Sequence, residues 1–448
     1  MTASVVVLEG MSPDEGRELA QQATVCLGWR SRNRNVRFDI SSLCEQAGPL
    51  SAEVADLLDL AAAVYMTDLA LPRGRNERFV RSIELHVPVR RPDLWTPMAD
   101  HLARLVCYLT GDNISLCLHP RQAADPPAET QRLSACDSVC LLSGGLDSLA
   151  GAVLLLRTGR RPLFVSHRSG NPTVAQAQRH VLKVLRRLQP NLHHTFVALE
   201  PRVATGALPF PPAAQREPSR RSRSLLFMAL GAAAAEALAV AEVYLPENGI
   251  LTAAVPLTPS RTGALSTRST HPAVLGLFNH ICRQAGLGAQ VLNPFVYRTK
   301  AELIAEILRP VLRPEEILGT VSCWMTGRRH RQCGGCLPCL LRRISLQAAG
   351  LSDEAYEMDV LAQPEEFRGT EAFVNLVDFL SYVAQLNCRS ETQLLLEAPA
   401  LLDLQPYGVS LTDVISMLKR FAAEVTGVIS SRFRASAYLL AEISARTT

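Results

Sequence analysis

The chain has 448 residues, 48% of them hydrophobic and 20% charged, which suits a soluble globular enzyme of two or three domains with a large core. A formal net charge of +4 gives no ground for a nucleic-acid surface. The most apolar stretch, 225–245, is broken by Glu236 and Glu242 and reads as a buried alanine-rich helix in preference to a membrane span.

The opening segment MTASVVVLEGMSPDEG has no basic region ahead of a long apolar run, so no secretory signal is expected. Residues 1–118 form a first unit. Val36, Phe38 and Ile40 alternate with Arg37 and Asp39 as a half-buried strand does, and Ile83, Leu85, Val87 and Ile114, Leu116, Leu118 repeat the pattern. Helical periodicity at 52–69 and 94–109 lies between them. This interleaving predicts a small α+β domain suited to docking a partner, to homo-oligomerisation or to a lid. Residues 119–137, with Pro120, Pro126 and Pro127, read as a linker.

Residues 138–345 read as an α/β domain. Val139 to Leu142 is an apolar strand. It runs into Ser143-Gly144-Gly145-Leu146-Asp147-Ser148, which opens an apolar helix. Two glycines let main-chain amides approach a ligand, and the helix start adds unpaired N–H groups with partial positive charge. Such a turn cradles pyrophosphate; the plain alternative is a strand-to-helix turn capped by Asp147 or Ser148. No GKS or GKT follows the glycines, so a Walker-type γ-phosphate transfer is not expected. Pro162–Ser166 and His194–Leu199 are further strands around an amphipathic helix at 174–188, predicting a parallel sheet with ligands at the carboxyl ends of its strands. His167-Arg168-Ser169 occupies such an end.

Glu200 to Ser219 carries five prolines and reads as a long loop. It ends in Arg220-Arg221-Ser222-Arg223 before the alanine-rich helix. Arginines also cluster at 328–331 and 342–343, as solvated faces or as contacts to an anionic ligand. A short strand at 243–245 precedes Pro246-Glu247-Asn248-Gly249, and 250–272 is loop-like. Glu247 and Asn248 read either as turn residues or as readers of a purine-like edge. His271 is an exposed loop histidine or a catalytic one, and Lys300 a solvated lysine at a helix start or a phosphate ligand. Cys323-x9-Cys333-x2-Cys336-x2-Cys339 places four thiolates in reach of one ion, the pattern of a closed structural zinc site, with an iron–sulfur cluster or a redox dithiol as alternatives. The other eight cysteines are scattered singly, as reduced core cysteines are, and the cytoplasm is the consistent compartment. Residues 346–448 read as helical. There Val414, Leu418, Phe421, Val425 and Val428 form an apolar stripe after Ser410 or Thr412 as N-cap.

SGGLDS after a strand resembles the signature of the PP-loop ATP pyrophosphatases, whose fold is a HUP-like parallel sheet and which split ATP between its α and β phosphates. With the C-x9-C-x2-C-x2-C-LLR segment about 180 residues later, 138–345 is similar to the QueC family, the 7-cyano-7-deazaguanine synthases. The resemblance implies ATP, magnesium on the pyrophosphate, a structural zinc and a 7-deazaguanine substrate activated by adenylation. It assigns Ser143, Gly144, Gly145, Leu146, Asp147 and Ser148 to ATP, and His167 and Ser169 join them as candidates by their place at a strand's carboxyl end. Arg221, Ser222, Arg223, Glu247, Asn248, Arg261, Thr267, His271 and Lys300 fall to the substrate and the transferring phosphate, with Asp147 holding magnesium directly or through water. The SGYPDCR-type substrate segment of QueC is absent. PENG and the STRSTHP segment at 266–272 stand in its place, as in the QatC-type QueC-like proteins of bacterial anti-phage defence operons, for which a protein amine of a co-encoded partner is the implied acceptor. Stand-alone nitrile synthesis with ammonia, and an idle nucleotide-binding scaffold, are the other readings.

Overall fold

Runs of β-branched and leucine residues, most of them followed by a helix, wind this chain into two sheets. The computed structural model describes all residues except 1, 30–33, 75–79, 123–135, 169, 203–209, 255–267, 324, 326–331, 354–355 and 448. Most of the expected linker 119–137, and the candidate residues Ser169, Arg261 and Thr267, therefore lie outside the described residues.

Strands β1 (Thr2–Val7), β2 (Val25–Leu27), β3 (Val36–Asp39), β4 (Ser82–Val89) and β5 (Asn113–Pro120) come from the first segment. Four of them form a parallel sheet in the order β2-β1-β4-β5. The fifth, β3, leaves that sheet. It pairs antiparallel with β8 (His193–Pro201), Val36 opposite Pro201 and Asp39 opposite Ala198. Period-2 alternation identifies a strand but carries no information about its partner. Here the partner is supplied by a core shared between the two segments. Leu57, Leu85 and Trp95 belong to the same apolar cluster as Val139, Leu163 and Val243.

The second sheet is completed by β6 (Ser138–Leu141), β7 (Pro162–His167), β9 (Glu242–Tyr244) and β10 (Gln290–Leu292), in the order β10-β9-β6-β7-β8-β3. All pairs within it except β3–β8 are parallel. Helices flank it, so the architecture is α/β and compatible with the PP-loop, HUP-like expectation. The apolar helix Arg223–Leu238 lies buried between this sheet and the helix Ala52–Ala70. Its fit is tight: a methyl group on Gly231 would stand 2.4 Å from Val243. Among the described residues, no helix is long and apolar enough to cross a membrane.

The C-terminal region is helical. Glu371–Cys388, Leu411–Arg432 and Arg434–Thr447 pack around Leu376, Phe379, Phe421 and Val425. The Phe379 and Phe421 rings meet edge to face at 6.0 Å. Ser410 is the N-cap of the long helix, accepting from the Asp413 amide. This bundle buries part of its apolar surface on Ile250, just after the Pro246–Gly249 turn, and on Leu337, Leu340 and Leu341, within and just after the cysteine cluster.

Candidate active site

The parallel strands β6, β7, β9 and β10 end on one edge, and the turns beyond them converge there. After β6 the chain turns at Gly144, whose φ of +89° lies in the left-handed region. A Cβ at this glycine would also sit 2.9 Å from the Gln178 backbone nitrogen. Backbone conformation and space both demand glycine here. Gly145 then serves as N-cap of the helix Leu146–Arg157 with no side-chain cap, leaving the first amides of that helix unsatisfied by any capping side chain. Ser143 is exposed; its hydroxyl accepts from the Gly145 amide at 3.3 Å and lies 3.1 Å from the Ser148 hydroxyl, which donates to the Gly145 carbonyl. The turn thus offers two hydroxyls and a set of main-chain N–H groups at a helix N-terminus, the donor set an anionic phosphate requires.

Behind this turn sits a buried polar cluster. Asp147 and Lys300 are 8% and 4% exposed, and Lys300 Nζ donates to Asp147 Oδ2 at 2.7 Å. Asn248 Nδ2 donates to the same oxygen at 3.0 Å and to Glu247 Oε1 at 3.1 Å. Asp147 Oδ1 is buried and has no hydrogen-bond partner among the described residues. Burial resists ionisation of Asp147, but the Lys300 ammonium, followed by hydrogen bonds, outweighs it and holds its pKa below the ordinary value. Glu247 goes the other way. Burial first, then the adjacent Asp147 carboxylate, pushes its pKa well above the usual carboxylate range. The two carboxyls therefore share an acceptor-rich space that a proton or a hard cation would neutralise. Magnesium, which favours one or two carboxylates plus phosphate oxygens, fits that donor set.

Long-range contacts hold the cluster in place. Asn293, at the end of β10, bonds the Glu247 amide through Oδ1 and the Glu247 carbonyl through Nδ2. Thr299 and Glu302 form a capping box at the helix start that carries Lys300. The Thr299 hydroxyl donates to Glu424 at 2.6 Å and Arg420 bonds Glu302, so the C-terminal bundle braces Lys300. Asn293, Glu424 and Arg420 escaped the sequence reading. An Asn-Pro pair just past a short strand was the available signal for the first; nothing local marks the other two.

The remaining candidates take other places. Asn248 is the N-cap of the turn Gly249–Thr252: its Oδ1 accepts from Leu251, and its amide hydrogens serve Asp147 and Glu247, so no polar atom of it is left for a base edge. Arg221 and Ser222, expected beside the transferring phosphate, point into the protein. Arg221 donates to the Thr110 carbonyl at 2.8 Å, and burial lowers its pKa to about 10. Ser222 bonds Asp68 Oδ2 through both its amide and its hydroxyl. Asp68 is tied in turn to Arg73 and Arg81. Arg223 is exposed, with its guanidinium 5.6 Å from the centre of the Phe227 ring. His167 Nε2 meets the Leu199 carbonyl at 3.0 Å, and burial lowers its pKa to about 4, with Arg223 and Arg220 adding to the effect. It is neutral at physiological pH. His271 is the N-cap of the helix Pro272–Gln284, accepting from the Ala273 amide at Nδ1 and lying 3.2 Å from the Tyr108 hydroxyl. Its environment is therefore buried, not the exposed loop anticipated, and burial brings its pKa to about 4.

Cys323, Cys333, Cys336 and Cys339 are buried, and their four Sγ atoms lie within 4.8 Å of one another. Two sulfur pairs stand 3.9 Å apart, close to the separation of about 3.8 Å for thiolates on a tetrahedral zinc with 2.3 Å bonds. None is in a disulfide. The Met325, Cys333 and Cys336 amides point at cluster sulfurs at 3.3–3.4 Å. Gly334, at φ +82°, leaves no room for a Cβ, which would lie 2.0 Å from the Met358 carbonyl oxygen. The cluster could hold a metal such as zinc. It also reaches the glycine turn, because Val321, two residues before Cys323, donates its amide to the Gly144 carbonyl at 3.3 Å. Neither open alternative for Arg342 and Arg343 applies. Arg342 is fully buried and ties Asp353, Thr320 and the Leu318 carbonyl together, while Arg343 pairs with Asp359.

Comparison with known proteins adds a direction. The chain is 28% identical over 234 residues to the 7-cyano-7-deazaguanine synthase of Synechococcus sp. (strain RCC307), covering 49% of this chain and 97% of that one. The synthase of Synechococcus sp. (strain CC9902) gives the same identity over 48% and 95%. That of Paracoccus denitrificans (strain Pd 1222) is 40% identical over 70 residues, 15% and 28% of the two chains. No family model matches the chain. These relatives support a QueC-like kinship and, through their names, an enzyme.

Proposed function

We propose that this chain is an ATP-dependent, AMP-forming synthase acting on a 7-deazaguanine, in line with the name 7-cyano-7-deazaguanine synthase borne by its relatives, and that it works in the cytoplasm. The observation that carries the reading is the buried Asp147–Lys300–Asn248–Glu247 cluster set directly behind a glycine turn whose helix has no side-chain cap. In this reading the pyrophosphate of ATP lies on the Ser143–Ser148 turn. A carboxylate oxygen of the substrate attacks the α-phosphorus, the bond to the β-phosphate oxygen breaks, and pyrophosphate leaves. Ammonia displaces AMP to give the amide. A second adenylation, on the amide oxygen, followed by loss of AMP and a proton gives the nitrile.

The residues divide the work. Main-chain amides of the turn and the Ser143 and Ser148 hydroxyls bind the leaving pyrophosphate, whose charge is worth most to neutralise in a preorganised, water-poor site. Lys300 and Asn248 hold Asp147 in one rotamer, with Oδ1 free for a cation. Magnesium at Asp147 and Glu247 would supply charge neutralisation on the phosphates. Arg223, exposed at the start of its helix, is available to a phosphate, as is the exposed Arg220, while Arg221 and Ser222 anchor the run to Thr110 and Asp68. The four-cysteine site is assigned to zinc in a closed, structural role, since four thiolates leave no open position.

A protein amine as acceptor, in a defence setting, rests only on the replaced segment between Pro246 and Pro272; the name of the relatives supports the nitrile-synthase reading instead. Purified chain with ATP, magnesium, 7-carboxy-7-deazaguanine and ammonium is expected to release pyrophosphate and form the nitrile by mass spectrometry, and Asp147→Asn to abolish both. Pyrophosphate without nitrile would reject nitrile synthesis while keeping adenylation. No pyrophosphate under any condition would reject both.

A further inference from the structure

Two imidazoles and two carboxylates form a continuous chain on the first sheet, far from any role in the proposed reaction. Glu84 and His86 stand on β4, Cys117 and His119 on β5, with His86 in register with Cys117. The alternate β4 residues Leu85 and Val87 are fully buried in the core, so these four side chains share the opposite face. Glu15, from the helix Pro13–Gln22, completes the chain. Its Oε1 lies 2.6 Å from His119 Nδ1; His119 Nε2 lies 3.0 Å from His86 Nδ1; His86 Nε2 lies 2.8 Å from Glu84 Oε1. The ring centroids are 5.3 Å apart with planes 30° apart, so two nitrogens in such close contact bring the rings together edge to edge.

The hydrogens do not suffice. Ionised carboxylates only accept, and each neutral imidazole carries one N–H. Three contacts need three hydrogens, and two neutral rings supply two. One contact is left as lone pair against lone pair, and a cation must sit in it: a third proton or a metal ion. When His119 donates from Nδ1 to Glu15 and His86 donates from Nδ1 to His119, the bare nitrogen is His86 Nε2. It faces Glu84 Oε1. One donor atom each from Glu84, His86 and Cys117 lie within 4.8 Å of one another.

We infer that Glu84, His86 and Cys117 form a second metal site, independent of the four cysteines, that takes a borderline divalent cation, zinc first. One sulfur, one nitrogen and one oxygen suit that ion better than magnesium or calcium. Three protein donors leave a fourth position for water or an incoming ligand. The Glu84 side chain is 46% exposed against 9% for His86, so the site opens to solvent on the Glu84 side. His119 and Glu15 are positioning residues: they fix the His86 tautomer and ring orientation, as a carboxylate behind a ligating histidine does.

The test counts metal on the full-length protein and needs no activity. Elemental analysis after equilibration with zinc and gel filtration is expected to give two equivalents per chain, falling to one in both Cys117→Ser and His86→Gln. Cobalt substitution should show a thiolate charge-transfer band that Cys117→Ser reduces without removing. His119→Gln or Glu15→Gln should keep the second equivalent but weaken it about 10–100-fold in a chelator competition. One equivalent in the wild-type chain, unchanged on titration with zinc, would mean that a proton alone fills the gap and would overturn the site. Two equivalents unaffected by Cys117→Ser and His86→Gln would overturn it equally, placing the second ion elsewhere.

Discussion

Replacing Lys300 by methionine keeps most of the side-chain volume and removes the ammonium from a buried pair. Its Nζ stands 2.7 Å from Asp147 Oδ2, with both residues under one-tenth exposed. At an effective dielectric constant of 20, two unit charges at that distance attract by about 6 kcal/mol. Desolvation consumes much of this in forming the pair, but a truncation that strands one partner costs about 3–5 kcal/mol. Lys300→Met should therefore lower the local opening free energy around Asp147 by that amount, and more at high pH, where a carboxylate without its ammonium must stay charged. Asp147→Asn made in the Lys300→Met background should cost far less than in the wild type. Native-state hydrogen exchange of the amides of helix Leu146–Arg157, measured on the four proteins of the cycle, reads this directly. A coupling energy of at least about 2 kcal/mol is expected. Additivity within about 0.5 kcal/mol would refute the pairing and with it the account of how Asp147 is held.

Gly144→Ala forces a side chain into φ +89° and against the Gln178 backbone; beyond the roughly 1–2 kcal/mol of the left-handed conformation, the clash should deform the turn and abolish pyrophosphate release, while Gly159→Ala, at φ +78° in open space, lowers Tm only slightly. Cys336→Ser should release the cluster's metal and, through Val321 and Gly144, reduce ATP turnover as well; a variant that loses the metal and keeps full turnover would sever that link. Glu424 is lifted by burial to about 7 in the folded chain, above its unfolded value of about 4.3. The native state thus holds an extra proton, and stability is lost as pH rises from near 4.3 through 7. Glu424→Gln keeps an acceptor for Thr299 and should match the wild-type Tm near pH 4 and exceed it by pH 8; parallel Tm–pH curves would contradict this. Arg342→Leu strands the buried Asp353 carboxylate and should cost about 3–5 kcal/mol, read as a lower thermal midpoint, with Arg342→Leu/Asp353→Leu recovering part of it.

What was legible in the sequence is what short spacing alone determines. The turn after β6 follows from two glycines between an apolar strand and an apolar helix, and the sulfur cluster from two overlapping CxxC turns. Lys300 was also within reach, because a lysine one position past a threonine cap sits at a helix start wherever the helix goes. The rest depends on partners far away in sequence. Arg221 and Ser222 looked like phosphate ligands by position in a basic run, but Asp68, more than 150 residues earlier, turns Ser222 inward. Arg342 and Arg343 read equally as solvated or as facing an anionic ligand, yet Asp353 and Asp359 make their burial tolerable. His271 is spent on capping a helix. β3 was read correctly as a strand and could not be assigned to a sheet, because alternation says which face is apolar and nothing about the neighbour.

That strand has a consequence for the order in which the chain can be completed. Val36 pairs with Pro201, 165 positions later by subtraction of the two residue numbers. At a synthesis rate of about 5–20 residues per second, β3 leaves the ribosome roughly 8–33 seconds before its partner. During that interval the first four-stranded sheet can close, since β1, β2, β4 and β5 all precede residue 121. The segment at 36–39 must wait with its ladder of amides open. The nascent chain therefore carries an unpaired strand until β8 emerges. An arrest placed between 121 and 193 should leave it accessible to proteases or to chaperones that bind extended peptides, and an arrest placed well past 201 should bury it.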